Sequence, residues 1–487
     1  MKKNFLFRSC LVAAVALTAA ACSDDADLGK VDTDKLNVPD GSVVYVTDAE
    51  GKRKFSSIEF RDATTTQLWV HSPKAVAADC NVTFAYDPSV LADYNSANAT
   101  EYKAVPQGVV SFAGNGSATI AAGTTTASVE YTLTSDGSLT YTDTYVLPLR
   151  VTISGGAQLG KTDETRLIFV RDLSNLPDAT KYVNDGNGNM VEGVKMFNCI
   201  EVNGTNPLCT MAFTLDRSGK PLYDAVILFS SNINFDSETG RVYIFHNENV
   251  QHVLDNADKY LRPLKERGIK VILSVLGNHD KSGVANLSDA TAKDFAKQIK
   301  NCCDAYDLDG VMLDDEYSDY ETNPVPPGFV APSVDALSRL FYEIKKVQPE
   351  RLNITYAFAR AAYMNPVRDL ETGELVNPGD YVDFAFANYP DTPTSNPIIN
   401  NYAGISNRQL GYCSMEFAQG GSYLWSKNAL QSTYAAGYGC HLVFAMSLES
   451  NTFPATNNDR FQALGNAAEV FYGESIVWDG NTYGKDW

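Results

Sequence analysis

The chain has 487 residues, 44 % of them apolar and 20 % charged, the proportions of a globular protein with several domains or with one large barrel plus a smaller module. That apolar content argues against wholesale disorder. A net charge of −20 offers no phosphate-binding face and leaves nucleic acid a poor candidate partner. The 26 Tyr, 23 Phe and 4 Trp fit a β-rich core or sugar stacking equally well.

The first element is an address. Met1-Lys2-Lys3 and Arg8 precede an apolar run, 11–21, that is too short to cross a bilayer as a helix. It ends in Ala19-Ala20-Ala21-Cys22. This resembles a bacterial lipoprotein signal cut before Cys22, whose thiol would then carry lipid and anchor the protein to the outer membrane. Ser23-Asp24-Asp25-Ala26-Asp27 follows and resembles the export signal of surface lipoproteins in glycan-foraging bacteria. Residues 1–21 are thus read as signal and 22–37 as an acidic tether. No later run reaches about 20 apolar residues, so anchoring rests on lipid. Of nine Cys, seven lie beyond Cys22 at irregular spacing with no CxxC pattern. Most read as small buried apolar residues, with one unassigned disulfide left open.

Residues 38–173 read as strands. Short β-branched runs such as Ser42–Val46, Gln67–His71, Asn81–Tyr86, Ala127–Leu133, Tyr145–Ile153 and Arg166–Val170 are separated by Gly, Asn, Asp and Ser. That pattern predicts an immunoglobulin-like sandwich, with one short helix at 88–98. The region resembles the β-sandwich modules that precede catalytic domains in bacterial surface lipoproteins that process glycans. A spacer role is favoured over sugar binding. Residues 174–193 are rich in Asn, Asp and Gly and read as a linker.

The pattern then changes. Apolar strands are predicted at 194–202, 224–230, 270–277, 310–316, 353–359, 383–388, 410–417 and 440–446, with amphipathic helices at 250–267, 289–306, 334–347 and 426–436. Eight such alternations over 194–487 predict an α/β TIM (β/α)₈ barrel. There is no Gly-rich phosphate turn after the first strand, which argues against a doubly wound sheet. The barrel is expected to fold without the sandwich. Chemistry in a barrel belongs at the C-terminal ends of its strands.

The fourth of these strands ends Met312-Leu313-Asp314-Asp315-Glu316. Alternation puts Met312, Asp314 and Glu316 on one face and Asp315 on the other. Two carboxyls on one face raise each other's pKa, and a shared proton keeps the outer acid, Glu316, protonated for general acid catalysis. A divalent metal is the rival use of three acids, but no His lies near and Asp315 points away. No metal and no cofactor are expected.

The stretch resembles the D-x-x-D-x-D-x-E signature of family-18 glycoside hydrolases. More closely, 194–487 resembles bacterial endo-β-N-acetylglucosaminidases of the endoglycosidase F/H type. The match is carried by Glu201–Leu208, Leu273–Asp280, Asp309–Ser318, Met415–Phe417, Phe444–Met446 and Lys485–Trp487. The resemblance implies hydrolysis of the β-1,4 bond between the two core GlcNAc residues of Asn-linked glycans, with high-mannose glycans favoured over complex ones. It implies no enzymic nucleophile: the substrate's 2-acetamido oxygen attacks C1, Glu316 is acid then base, Asp314 holds the acetamido N–H, and Tyr389 holds its carbonyl.

Two positions depart from the wider family. Met312 stands where many chitinases have Asp, and no Trp ends strand eight, where Phe444 or Met446 either forms the sugar floor or belongs to the core. Asn278 and His279 end strand three, with the His read as structural. Asn278, Glu416, Glu201, Asn203 and Asn234 are candidate sugar contacts, and Asp309 reads as structural. The alternatives are a chitinase and a non-catalytic glycan-binding protein on the same barrel; the missing Trp argues against the first and Glu316 against the second. Partners are expected to be glycans and glycoproteins, and the protein a monomer.

Overall fold

The structure is a computed structural model that describes residues 43–141, 143–388, 398–449 and 459–487. Cys22, the acidic tether and Tyr389 lie outside these residues.

Residues 43–172 form two facing sheets. One runs Gln158–Leu159, Val43–Thr47, Ala63–His71, Thr126–Thr134, Val110–Phe112. The other runs Ser57–Phe60, Thr165–Asp172, Tyr145–Ser154, Cys80–Tyr86, Ser117–Ile120. Cys80–Tyr86 and Ser117–Ile120 bury alternate residues, as the period of a half-buried strand requires, whereas Tyr145–Ser154 begins with five consecutive buried residues. Val44, Val46, Leu68 and Val70 meet Val82, Phe84, Leu147 and Leu149 between the layers. The helix spans Pro88–Asn98. Asp87 caps it by accepting from the Ser89 N–H, Pro88 opens it with a preset φ, and Ala99 ends it in the left-handed region.

Eight parallel strands close into a barrel: Lys195–Glu201, Ala225–Asp236, Lys270–Leu276, Gly310–Leu313, Leu352–Ala357, Phe384–Ala387, Leu410–Glu416 and Cys440–Phe444. The first pairs with both the second and the eighth, which completes the ring. Phe197, Ile227, Ile272, Met312, Ile354, Phe386 and Leu442 fill the interior. Helices Asp289–Tyr306, Val334–Val347, Lys427–Ala435 and Asp459–Tyr472 cover the outside. The expected helix at 250–267 is broken into Glu248–Asp255, Ala257–Tyr260 and Arg262–Lys265. Asn256 leaves helical geometry, and Pro263 has no N–H for the helical ladder. Strand two also runs longer than expected and folds back through Arg241–Phe245 as a hairpin. The six described cysteines are buried and unpaired.

The sandwich sits under the barrel, at the N-terminal ends of its strands. Asp383, before strand six, accepts from Lys52 of the sandwich at 3.1 Å and from Lys345 at 2.7 Å. Burial would raise its pKa, but Lys345 and Lys52 together hold it below the usual carboxylate range. Asp309, before strand four, accepts from Arg171 of the sandwich at 3.2 Å and from the Val271 N–H at 2.9 Å. Here too the cations, Lys265 and Arg171, overcome burial and depress the carboxyl. Asp309 is structural, as its place in the strand implied. The stretch 174–193 is part of the folded body. It carries the hairpin Tyr182–Asn184 with Met190–Glu192, and its buried Lys181 lies 2.7 Å from Asp224.

These contacts oppose the expectation of a self-sufficient barrel, because a barrel alone would keep buried carboxylates that have lost cations. Lys52→Ala should destabilise the full chain by about 1.5–3 kcal/mol, the usual worth of a hydrogen bond to a charged group. A chain beginning at Gly193 should melt several degrees lower again, since about 1 kcal/mol moves the Tm of a domain this size by a few degrees. Calorimetry on the three proteins checks both, and equal melting temperatures would show that the barrel does not lean on the sandwich.

Candidate active site

Strand four ends at Leu313, shorter than the expected 310–316, and Asp314, Asp315 and Glu316 follow it with their side chains still alternating. Asp314 faces the barrel mouth and is 2 % exposed; Glu316 follows on the same face, half buried. Asp315 turns the other way, into the packing between loops. The backbone here is fixed from the neighbouring strand. The Asp314 N–H donates to the Val275 carbonyl at 3.1 Å, the Gly277 N–H to the Glu316 carbonyl at 3.0 Å, and the His279 N–H to the Tyr317 carbonyl at 2.6 Å. The chains approach so closely that a Cβ on Gly277 would lie 2.6 Å from the Glu316 carbonyl oxygen. Glycine is therefore required at that position by space.

Burial raises the pKa of Asp314 well above the ordinary range, and the nearby Glu316 raises it further. Burial also raises Glu316, while its hydrogen bond with Asp314 pulls it down. The pair therefore keeps one proton between them. Both carboxyls are pushed toward the protonated form, Asp314 the more strongly because the deeper group is the costlier one to ionise. Met312, where an inner acid would be, is buried among the interior side chains. The second oxygen of Asp314, Oδ1, is buried without a hydrogen-bond partner among the described residues. A buried acceptor without a donor is costly, and a ligand N–H would satisfy it.

The other candidates divide. Asn278 donates to Asn234 at 3.1 Å, so the ends of strands two and three form one polar rim beside the pair. His279 is exposed at that rim and packs edge-on against Tyr317, with ring centroids 5.5 Å apart. Glu201 is exposed at the end of strand one. Asn203 is tied to Asn249, which also receives Lys485 and the Trp487 ring N–H, so the terminal segment clamps this corner. Phe444 is partly exposed and meets Phe229 edge-on at 5.3 Å.

Two expected sugar contacts are corrected. Glu416 is buried and accepts the backbone N–H groups of Ala418 and Gln419 at 2.8 and 2.7 Å, which spends both oxygens on its own loop. Met446 is fully buried, with its sulfur accepting from Tyr223 at 3.2 Å, so it belongs to the core.

Three residues escaped the sequence reading. Tyr356, in strand five, hydrogen-bonds Asn388, the residue before Tyr389. Alternation from Ile354 to Tyr356 was the available signal that this ring points inward. Arg360 and Tyr320 both hold Asp315, and nothing in their spacing foretold it. A separate cleft of about 2240 Å³ runs between the sandwich and the barrel underside, past Trp69, His71 and Arg408. It touches neither Asp314 nor Glu316, so the mouth stays the candidate site on chemical grounds.

A family model for an N-terminal domain matches residues 38–158. Over 300 residues, 62 % of this chain, the sequence is 45 % identical to endo-β-N-acetylglucosaminidase F1 of Elizabethkingia meningoseptica, spanning 84 % of that protein. EndoBT-3987 of Bacteroides thetaiotamicron, solved with a Man5GlcNAc product, is 31 % identical; the likeness covers 90 % of this chain and 99 % of that one, with a TM-score of 0.77. The same protein with a Man9GlcNAc2Asn substrate superposes with a TM-score of 0.70 at 30 % identity, again over 90 % of this chain and 99 % of that one.

Proposed function

The chain belongs to the bacterial endo-β-N-acetylglucosaminidases, glycoside hydrolases that cut Asn-linked glycans between the two core GlcNAc residues, and from that membership we propose a high-mannose substrate and a substrate-assisted mechanism. The substrate class is supported by EndoBT-3987, which holds Man9GlcNAc2Asn and Man5GlcNAc on a chain alike over nearly its whole length.

One observation carries the mechanism: Asp314 is buried beside the half-buried Glu316, a setting that raises both carboxyls, while the other described acids at the mouth are occupied or distant. Asp315 is held by Arg360 and Tyr320, Glu416 by two backbone N–H groups, and Asp280 by the Phe235 N–H and Ser282. Glu201 stands exposed on the rim. An anionic nucleophile paired with Glu316 is therefore lacking among the described residues, and the substrate's acetamido oxygen takes that part. Tethering it to the reacting sugar gives an effective molarity of up to about 10⁵ M or more.

When substrate enters, its acetamido N–H donates to Asp314, whose Oδ1 lacks a donor in the free protein. That contact favours the Asp314 carboxylate, so the pair's proton sits on Glu316. Glu316 gives that proton to the glycosidic oxygen as the C1–O bond breaks and the acetamido oxygen closes on C1. The carboxylate of Asp314 offsets the positive charge of the resulting oxazolinium ion. Glu316, now a base, takes a proton from water, which attacks C1 and restores the acetamide with retention. Tyr389 holds the acetamido carbonyl in this scheme; its neighbour Asn388 is fixed by Tyr356. Asn278 and Asn234 are the proposed sugar contacts at the rim, with Glu201, Asn203 and Phe444 further out.

Glu316→Gln should lower kcat by about 10²–10⁴-fold or more while glycan binding persists, because the amide keeps the shape and loses the transferable proton. The assay is cleavage of a high-mannose glycoprotein, with mass spectrometry for one GlcNAc left on Asn. Activity within tenfold of wild type would remove Glu316 from the role.

We also propose that Cys22 is lipidated and that the protein is displayed on the outer membrane. The Ala19-Ala20-Ala21-Cys22 run and the acids after it support this, and among the described residues no helix is long and apolar enough to cross a membrane. Cys22→Ala should shift the protein from the membrane fraction to the soluble one; retention in the membrane would sink the lipid anchor.

A further inference from the structure

We propose that Asp315, Arg360 and Tyr320 form a charge-balanced clamp that positions Glu316 and sets the pH at which it loses its proton, a role that rests on the mechanism above. The Asp315 side chain is fully buried, between two acids that face the opposite way. A buried carboxylate is costly to desolvate and persists only where donors surround it. Here there are three. The Arg360 N–H and guanidinium donate to Oδ2 at 3.1 and 3.2 Å, and the Tyr320 hydroxyl donates to Oδ1.

The donors come from different parts of the mouth. Arg360 lies in the 3₁₀ turn Ala359–Ala362, beyond strand five, where Ala359 holds a φ of 47°. A left-handed Ala is strained and persists only where neighbours enforce it. Its effect is to turn the Arg360 N–H toward Asp315. The Arg360 guanidinium also lies 4.9 Å from the centre of the Tyr320 ring. Tyr320 in turn accepts from the Ala285 N–H at 3.3 Å and packs against Gly283, in the loop beyond strand three. Loops three, four and five thus meet on one carboxylate, in the residue between the two acids that share the proton.

Position and charge follow from the same contact. Asp315 pins the backbone on both sides of itself, so the Glu316 carboxyl is aimed by a residue that does not touch substrate. Its negative charge favours the protonated form of Glu316. Arg360 balances that charge without burying a bare anion. Among the described residues, Asp314 and Asp315 act directly on Glu316; at the same end of the barrel His279 and Asp280 lie beyond strand three, Tyr317 and Tyr320 beyond strand four, Tyr356 and Arg360 on and beyond strand five, and Cys199 and Glu201 on strand one. Arg360 is the cation among them.

The test is the pH profile of kcat and KM for the full chain on a high-mannose glycopeptide, in wild type, Asp315→Asn, Arg360→Gln and Tyr320→Phe. Asp315→Asn leaves Arg360 uncompensated, so the basic limb of kcat should move down by about half to one pH unit. Arg360→Gln leaves Asp315 uncompensated, so the limb should move up. Tyr320→Phe removes a donor without a charge; kcat should fall about tenfold with the limb in place and KM little changed. Packing alone would lower kcat in all three without opposite limb shifts. Limbs that stay put or move the same way in the two charge variants, or an unchanged kcat in Tyr320→Phe, would overturn the clamp. Those results would leave the mechanism standing, since that falls only if Glu316→Gln remains active.

Discussion

Asp314 and Glu316 are held close enough, and dry enough, that they cannot both be charged without large cost. Burial of Asp314 is the source of that constraint, and much of the barrel serves to impose it. The interior below is apolar, with Met312 where a third acid might have taken up the proton. The backbone above is locked to the loop beyond strand three, through Gly277 and His279. The result is a site that stores one proton and an unsatisfied acceptor, Asp314 Oδ1, at rest. The substrate uses both: Glu316 passes the proton to the glycosidic oxygen, and the acetamido N–H donates to Asp314 Oδ1. The stored cost belongs to stability as well as to chemistry. A carboxyl whose pKa is raised by folding favours the folded state below its unfolded pKa, and that contribution is lost as pH rises through the folded value. At neutral pH the pair is therefore a liability to the fold, carried for function.

The barrel divides its charged groups between two ends with different purposes. At the underside, Asp309 and Asp383 meet cations from the sandwich and from the barrel itself, and their pKa values go down. At the mouth, Asp314 and Glu316 have no such partners and their values go up. The same residue type is thus made a permanent anion at one end and a proton carrier at the other, by the presence or absence of a cation at contact distance. The sandwich contributes to the first end only. It braces the barrel from the side away from the chemistry, which leaves the mouth open to a bulky glycoprotein.

Much of this was legible in the sequence for identifiable reasons. Eight strands could be counted because each is a short apolar run bounded by polar sequence. The helix at Pro88–Asn98 was legible from its cap and its opening Pro. The acids of strand four were assigned to faces by alternation alone. What escaped depends on contacts far apart in the chain or on how a loop turns. The helix at Asp459–Tyr472 is built on Ala463, Ala467 and Ala468, small residues whose burial gives little periodic signal. Glu416 and Met446 stand at strand ends, where a sugar contact and a core residue look alike until the next few residues are placed. Asp315 and Arg360 are 45 positions apart and meet only in the closed barrel. How strongly burial raises Asp314 over Glu316 follows from relative depth, which spacing does not encode.

In this mechanism Asp314 works on the substrate's acetamido group and not on the leaving oxygen, and Asp314→Asn separates the two roles. The amide should slow formation of the oxazolinium ion, because it positions the acetamido group less well and cannot offset the growing charge. It should tolerate a substrate in which that ring is already closed. The measurement is transfer of a preformed high-mannose oxazoline to a GlcNAc acceptor by Asp314→Asn, beside its hydrolysis of the natural glycopeptide. The account predicts near-wild-type transfer with hydrolysis reduced by about 10²-fold or more. Loss of both activities in a variant that still binds glycan would contradict it.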